Sequence, residues 1–291
     1  MPVDRRVRKG ATDTLTAYFY DGGETAVDKG AVTVSVASDS GTVLHSGSAT
    51  NTTGVYTFGL STAATAAIDR LTVTWTAASE TQTTYVDVVG GFYFELNELR
   101  AMADMSIAAF NTERLRNARQ WIEEIIDQAT GTSFVRRYAR DFFNQSPTYD
   151  QFVTRFMLLT PNTRRIISAT VNGTALTSPQ LAGLTIDPVN RIVMSDGSTW
   201  PYGYRVVDIR YEAGLTDTCP GDLHDVALQA ARWRLISTDG ESGIPSRATS
   251  LTNQFGNVQL STAGNRRPTG IPDVDAVIMS YADQYKVGAI A

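Results

Sequence analysis

The sequence predicts an α+β chain: an N-terminal β-sandwich, then a helical core that carries an inserted β region. Three observations predict it. Up to about residue 90, apolar and polar residues alternate at period two between turn clusters. Two later segments, 112–130 and 222–239, repeat at the helical period between cap signals. Between those helices, over 134–214, the period returns to two.

The alternating runs of the first region are 14–20, 31–36, 55–58, 71–75 and 83–88, rich in Val, Thr and aromatics. Asp21-Gly22-Gly23, Asp39-Ser40-Gly41 and the Asn51–Gly54 cluster break them into short strands. Leu71, Val73 and Trp75 fall on one face of a strand and Thr72 and Thr74 on the other, so Trp75 reads as core. Short strands with regular turns form a small sandwich over 1–90 that resembles immunoglobulin-like modules in pattern, without the cysteine pair of antibody domains.

Gly90-Gly91 ends this pattern, and a short helix follows at about 95–103. Asn111 can cap the helix at 112–130, Glu113 suits the positive end of its dipole, and Gly131 stops it in a left-handed turn. Leu115, Ala118, Ile122, Ile125 and Ala129 form its apolar stripe, with Trp121 and Ile126 beside it. Glu123, Glu124 and Asp127 fall outside the stripe and read as a solvated face. Strands are expected at 134–143, 152–159, 165–171, 191–194 and 204–211, with Asn172-Gly173 as a tight hairpin turn. Asp222 is the expected cap of the helix at 222–239, with Asp225 at capping-box spacing. Its apolar side holds Leu223, Val226, Ala227, Ala230, Trp233 and Leu235. Residues 241–269 are rich in Gly, Ser, Thr and Asn, contain one alternating run at 255–260, and read as a flexible segment. Pro272 opens the last helix, 272–286, with Asp273 in its first turn and Val274, Val277, Ile278, Tyr281 and Tyr285 on its apolar face.

Composition narrows the function classes. With 42% apolar and 19% charged residues among 291, the chain is globular and long enough to bury its own cores. Lys and Arg number 25 against 30 Asp and Glu, a net charge of −5, which argues against a broad basic surface for wrapping duplex DNA. The single cysteine, Cys219, cannot close a disulfide within the chain. The first residues are polar without an apolar signal-peptide core, and no stretch approaches the ~20 apolar residues that cross a bilayer. The expectation is a soluble protein of a reducing compartment, with no membrane partner.

Motifs for catalysis are sparse. A His-Glu-x-x-His pair, a Walker A loop, a dinucleotide-binding glycine fingerprint and a Gly-x-Ser-x-Gly elbow are all absent from the sequence. His224 with Asp222 or Asp225 offers a possible base, and an exposed first-turn histidine is the simpler reading. Glu123, Glu124 and Asp127 are one turn apart and suit a hard cation as well as a solvated face. Cys219 precedes a helix but has no histidine or second cysteine beside it, so it reads as inert. Asn51-Thr52-Thr53 matches a glycosylation acceptor by chance in a chain without a secretion signal. Arg5, Arg6, Arg8 and Lys9, and Arg266-Arg267, read as small basic clusters on solvated tails or loops. The expectation is a structural protein, with no catalytic, cofactor or metal residues.

Three stretches then carry a resemblance. The first is Ala118-Arg-Gln-Trp-Ile-Glu, running on through a Thr-Gly turn to Phe134. The second is Val207-Asp-Ile-Arg-Tyr-Glu-Ala-Gly214, followed by Cys219-Pro-Gly-Asp-Leu223 and a helix. The third is Thr269-Gly-Ile-Pro-Asp-Val-Asp, running on to Tyr281. In this order, roughly residues 94–286 of the domain at 91–291 resemble the head-to-tail adaptor (connector) proteins of long-tailed double-stranded DNA bacteriophages, the third stretch being similar to the ending of the actinobacteriophage type. The resemblance implies a virion protein of the neck, assembled from host cytoplasm into a ring of about twelve copies beneath the portal. The ring would extend the channel through which double-stranded DNA passes without specific binding, and would meet the next neck or tail-completion protein.

The resemblance also places roles on residues. Leu115, Ala118, Ile122, Ile125, Val226, Ala230 and Trp233 would form the core of the connector helices. The portal contact would fall on Phe255, Val258, Leu260, Arg266, Arg267, Ile271, Val274, Ile278, Tyr281 and Tyr285, with 241–269 ordering as it binds. The sandwich, which short adaptors lack, would decorate the outside of the neck. Two other functions compete. One is a carbohydrate-binding or adhesive virion component of the fibre or baseplate type, using Trp200 and Tyr202 as a sugar platform. The other is a hydrolase with a carboxylate pair that includes Glu123 or Glu124.

Overall fold

The computed structural model describes residues 4–21, 25–78, 80–103, 105–145, 155–187, 190–194, 200–201, 203–238, 250–253, 256–259 and 267–287. The chain is α+β. It divides into two compact units: Met1–Gly91 with Arg136–Tyr138, and Phe92–Val135 with Ala139–Ala291.

The first unit holds β1 (Arg5–Arg8), β2 (Asp13–Tyr18), β3 (Thr33–Ala37), β4 (Val43–Ser48), β5 (Thr50–Thr52), β6 (Val55–Leu60), β7 (Asp69–Thr76) and β8 (Thr81–Val89). They form two sheets, ordered β1-β8-β7-β3-β4 and β2-β6-β5. Alternation decides the core: Leu71, Val73 and Trp75 of β7 are all buried, together with Val34 and Val36 of β3. They pack against Leu15, Ala17, Tyr56, Phe58 and Leu60 of the other sheet. The Phe58 and Trp75 rings meet edge-on across the two sheets, 6.5 Å between centroids. Each such fully buried side chain contributes about 1.5–3 kcal/mol.

The basic cluster at the start of the chain is a strand rather than a solvated tail. β1 pairs in parallel with β8, Arg5 opposite Val86 and Val7 opposite Val88. Val7 is buried, and the Arg5 guanidinium reaches the Asp13 carboxylate at 3.4 Å. One inward apolar residue between arginines is enough to seat a short edge strand.

The second unit contains α1 (Leu96–Ala101), α2 (Thr112–Thr130), β9 (Arg137–Gln145), β10 (Arg155–Met157), β11 (Thr163–Val171), β12 (Thr174–Ala175), α3 (Ser178–Ala182), β13 (Leu184–Ile186), β14 (Arg191–Met194), β15 (Gly203–Ala213), α4 (Gly221–Thr238), β16 (Ser250–Asn253), β17 (Gly256–Gln259) and α5 (Pro272–Val287). The first residues of β9 belong to the other unit. Asn111 Oδ1 accepts the Arg114 N–H at 2.9 Å and caps α2, and Gly131 at φ 71° ends it.

The β region forms two sheets, β12-β11-β15-β9 and β10-β14-β13. Asn172 and Gly173, at φ 49° and 77°, turn β11 into β12 as their residue types require. This region differs from the expected strands at its start: Phe134 and Val135 lie in the helical core, and the strand begins at Arg137. The short α3 also interrupts it, capped reciprocally by Thr177 and Gln180. Within the stretch expected to be flexible, β16 and β17 pair antiparallel.

Two cores serve this unit. One joins Leu115, Ala118, Ile122 and Ile126 of α2 to Leu223, Ala227 and Ala230 of α4 and to Val274 and Ile278 of α5. The other sits in the β region around Trp200, Val207, Ile209 and Tyr211.

Candidate functional site

The three stretches that carry the resemblance lie far apart in sequence and meet at one place, the C-terminal end of α2. Phe134, 1% exposed, is its centre. Its ring meets Tyr93 edge-on at 6.3 Å and Tyr281 of α5 at 5.1 Å. Its carbonyl accepts the Thr216 N–H at 3.2 Å and the Thr216 hydroxyl at 2.7 Å, and the Ser133 carbonyl accepts the Leu215 N–H at 3.0 Å. The Tyr281 hydroxyl closes the ring of contacts by donating to the Asp222 carboxylate at 2.7 Å. The end of α2, the start of α4 and the second half of α5 are thereby tied at one node.

Buried carboxylates hold the node's surroundings. Glu123 is 0% exposed and accepts the Tyr93 N–H at 3.0 Å. The Tyr93 hydroxyl donates to Asp127 and accepts the Phe134 N–H at 3.2 Å. Arg119, also buried, places its guanidinium 3.4 Å from the centre of the Phe92 ring. The solvated-face reading of Glu123 and Asp127 is therefore corrected: α2 is covered on two sides, and the 92–94 segment needs acceptors from it. Glu124 is half-buried and accepts from Gln120 at 3.0 Å. Among the described residues, no group of three or more His, Cys, Asp or Glu side chains is placed to hold a metal ion.

Asp275 explains the third stretch. It is buried; its Oδ1 accepts the Thr269 N–H and hydroxyl at 2.8 and 2.7 Å, and its Oδ2 accepts the Gly270 N–H at 3.0 Å. Gly270 lies at φ 80°, so the Thr269-Gly270 turn is fixed one residue pair ahead of Pro272.

His224 bridges two helices. Its Nδ1 lies 2.9 Å from Asp225 Oδ1 and its Nε2 3.3 Å from Glu98 Oε1 of α1. Burial pulls its pKa down, but the hydrogen bonds to the two carboxylates outweigh this and the pKa stands above its ordinary value. It is a clamp between α1 and α4 rather than a simply exposed ring. Asp222 lies inside the first turn of α4, which begins at Gly221, so it is not the cap. Cys219 is a half-buried thiol. Asn51 is exposed and donates to Asp28 at 2.7 Å.

The expected core residues Leu115, Ala118, Ile122, Val226 and Ala230 are buried, and Ile125 packs partly buried against them. Trp233 is not core: it is 49% exposed. Stepping from Leu223 at about 100° per residue puts Trp233 about 80° away, at the margin of the buried face.

The expected portal-contact residues scatter. Val274 and Ile278 are fully buried in the helical core, which removes them from any partner-facing surface. Ile271 and Tyr281 are half-buried and Arg267 is exposed. Val258 lies on β17 and Tyr285 on α5, while Phe255, Leu260 and Arg266 fall outside the described residues.

One residue named for each competing function is enclosed. Trp200 is 1% exposed in the β-region core, where it cannot present a face to a sugar, and Tyr202 lies outside the described residues. Glu123 is enclosed and bonded to backbone rather than facing a cleft. Among the described residues, no helix is long and apolar enough to cross a membrane.

No protein-family model matches the chain. No curated protein matches it. Among solved structures, it is similar to a chain in the neck of an empty gene transfer agent (GTA) particle computed with C6 symmetry. That match has 15% identity over 55% of this chain and 83% of the other, with a TM-score of 0.38. A chain in the neck of a native GTA particle computed with C12 symmetry matches at 11% identity, 59% and 80% coverage and a TM-score of 0.37. A chain in the virion of a native GTA particle matches at 13% identity, 65% and 87% coverage and a TM-score of 0.39. At low identity, then, the chain is similar to chains of gene transfer agent neck and virion particles.

Proposed function

We propose that this chain is a structural neck protein of a tailed virion, the subunit of a head-to-tail adaptor ring beneath the portal. One observation carries the reading. The three stretches that resemble the adaptors are not scattered likenesses; they meet around Phe134, where Thr216, Asp222 and Tyr281 tie α2, α4 and α5 together. A sequence pattern whose three parts build one structural node is what a common helical frame requires.

The physical character of the chain supports the role. A ring subunit needs complementary faces, and cyclic symmetry supplies them by heterologous contact. A conduit for DNA is best served by weak phosphate contact, and a net charge of −5 suits that. In this reading the exposed Arg267 and the segment leading into α5 face the portal, and the β-sandwich lies outside the channel. Negative-stain microscopy of the chain mixed with its portal protein tests it. The expected image is a closed ring coaxial with the portal; portal particles without an added collar, at saturating chain, would refute it.

A further inference from the structure

The connection from β10 to β11 is held far more firmly than a connection requires. Leu159 is 78% exposed, yet its N–H donates at 2.7 Å to Oδ2 of Asp141, a buried carboxylate. The same oxygen accepts the Tyr211 hydroxyl at 2.7 Å, and that hydroxyl accepts the Thr160 N–H at 3.0 Å. Asn190 clamps the other side: its Nδ2 donates to the Leu158 and Thr160 carbonyls at 3.1 and 3.0 Å, and its Oδ1 accepts the Thr163 N–H at 3.1 Å. Asn162, at φ 61°, donates to Thr132 Oγ1 at 2.7 Å. Several polar side chains thus fix the backbone under one exposed leucine, which cuts the ordering cost of any contact it makes.

The same unit carries a concave counterpart. Met102, Trp233, Ile236 and Ile271 line an open apolar cleft of about 540 Å³. Arg232 holds one wall by donating from Nε to the Ala103 carbonyl at 3.2 Å.

The knob is tied to the approach to α4, and the cleft lies on that helix's second half. Asn162 binds Thr132, just past the end of α2, and the Asn162 carbonyl accepts the Gly214 N–H at 3.0 Å, in the lead-in to α4. Trp233 is about 18 Å farther along that helix from Gly221, at 1.5 Å per residue. Leu159, 78% exposed, does not sit in the cleft of its own chain.

We infer that Leu159 of one copy seats in the cleft formed by Met102, Trp233, Ile236 and Ile271 of the next copy. This rests on the ring reading, and it names the partner surface. A rigid apolar knob and a tryptophan-lined cleft at different places on one chain make a head-to-tail contact, the kind that closes into rings. The volume of the cleft leaves room for Thr160 and Pro161 beside the leucine.

Analytical ultracentrifugation of the full chain over rising concentration tests this, with wild type, Leu159→Glu, Trp233→Glu and an equimolar mixture of the two variants. Wild type is expected to associate beyond the dimer. Each variant should associate roughly tenfold or more weakly, with the thermal midpoint of Leu159→Glu unchanged because Leu159 is 78% exposed. The mixture should stop at a heterodimer, one intact knob in one intact cleft. Oligomers that persist in both variants overturn the contact and leave the ring reading standing. A wild-type chain that stays monomeric also overturns the contact. The ring reading is decided separately, by microscopy with the portal.

Discussion

Replacing Phe134 by alanine removes the centre of the node that joins α2, α4 and α5. The ring is 1% exposed and meets two aromatic partners edge-on, Tyr93 at 6.3 Å and Tyr281 at 5.1 Å. Truncating a buried phenylalanine costs about 3–5 kcal/mol. Each lost ring pair adds about 0.5–1.5 kcal/mol beyond buried area, which puts this site at the upper end, about 5 kcal/mol. That is a large part of the about 5–15 kcal/mol of a typical domain. Phe134→Leu keeps most of the apolar volume and loses only the ring pairs, so its cost is about 2 kcal/mol. Hydrogen exchange in graded urea reads the two units separately. Peptides of α2, α4 and α5 should lose protection together, while those of β3 and β7, which have their own core, keep theirs. A loss below about 1 kcal/mol for Phe134→Ala, or an equal loss in the sandwich, would refute the node.

Further outcomes follow from single contacts. The His224 pKa is raised above 6.5 in the folded chain, so its stabilisation is complete below that pH and is lost as pH rises through the folded-state value. Thermal midpoints should fall across that window, and His224→Gln should flatten the slope; a slope that survives the change would refute the clamp. Gly131→Ala should cost about 1 kcal/mol in urea unfolding, a purely backbone effect, because φ is 71° and no heavy atom lies within 4 Å of the added carbon. Asp275→Ala strands the Thr269 and Gly270 N–H groups and should cost about 3 kcal/mol. A neutral result would mean the turn before α5 is held by something else. Arg70 grips Asp87 through two hydrogen bonds, 2.7 and 3.1 Å, with Asp87 nearly buried. A double-mutant cycle on this pair should give a coupling of about 1 kcal/mol or more, above that of an exposed pair.

Much of this architecture is legible in the sequence because it rests on local rules. Period two in β7, the Asn111 and Gly131 caps of α2, the Asn172-Gly173 turn and Pro272 at the head of α5 each follow from residue type and spacing. What escapes is decided by tertiary contact. β1 shows no period because one valine among arginines seats it. Glu123 reads as solvated because nothing local announces that the 92–94 segment crosses α2 and needs an acceptor; Arg119, one turn earlier and also buried, is the only hint. Trp233 reads as core because α4 is apolar around much of its circumference, which leaves the phase of its buried face undefined. The Asp141–Tyr211–Asn190 support of Leu159 is invisible in the sequence, since its members are separated by whole strands.

The proposed role gives this chain one position in a particle, a collar where head meets tail. Labelling this chain with gold in intact virions, through a tag at the sandwich surface, reads that position directly. Label should be confined to a single band at the tail-bearing vertex, with a copy number that matches a cyclic symmetry. Label at the tail tip, label spread over the capsid, or virions that lack the chain would contradict it.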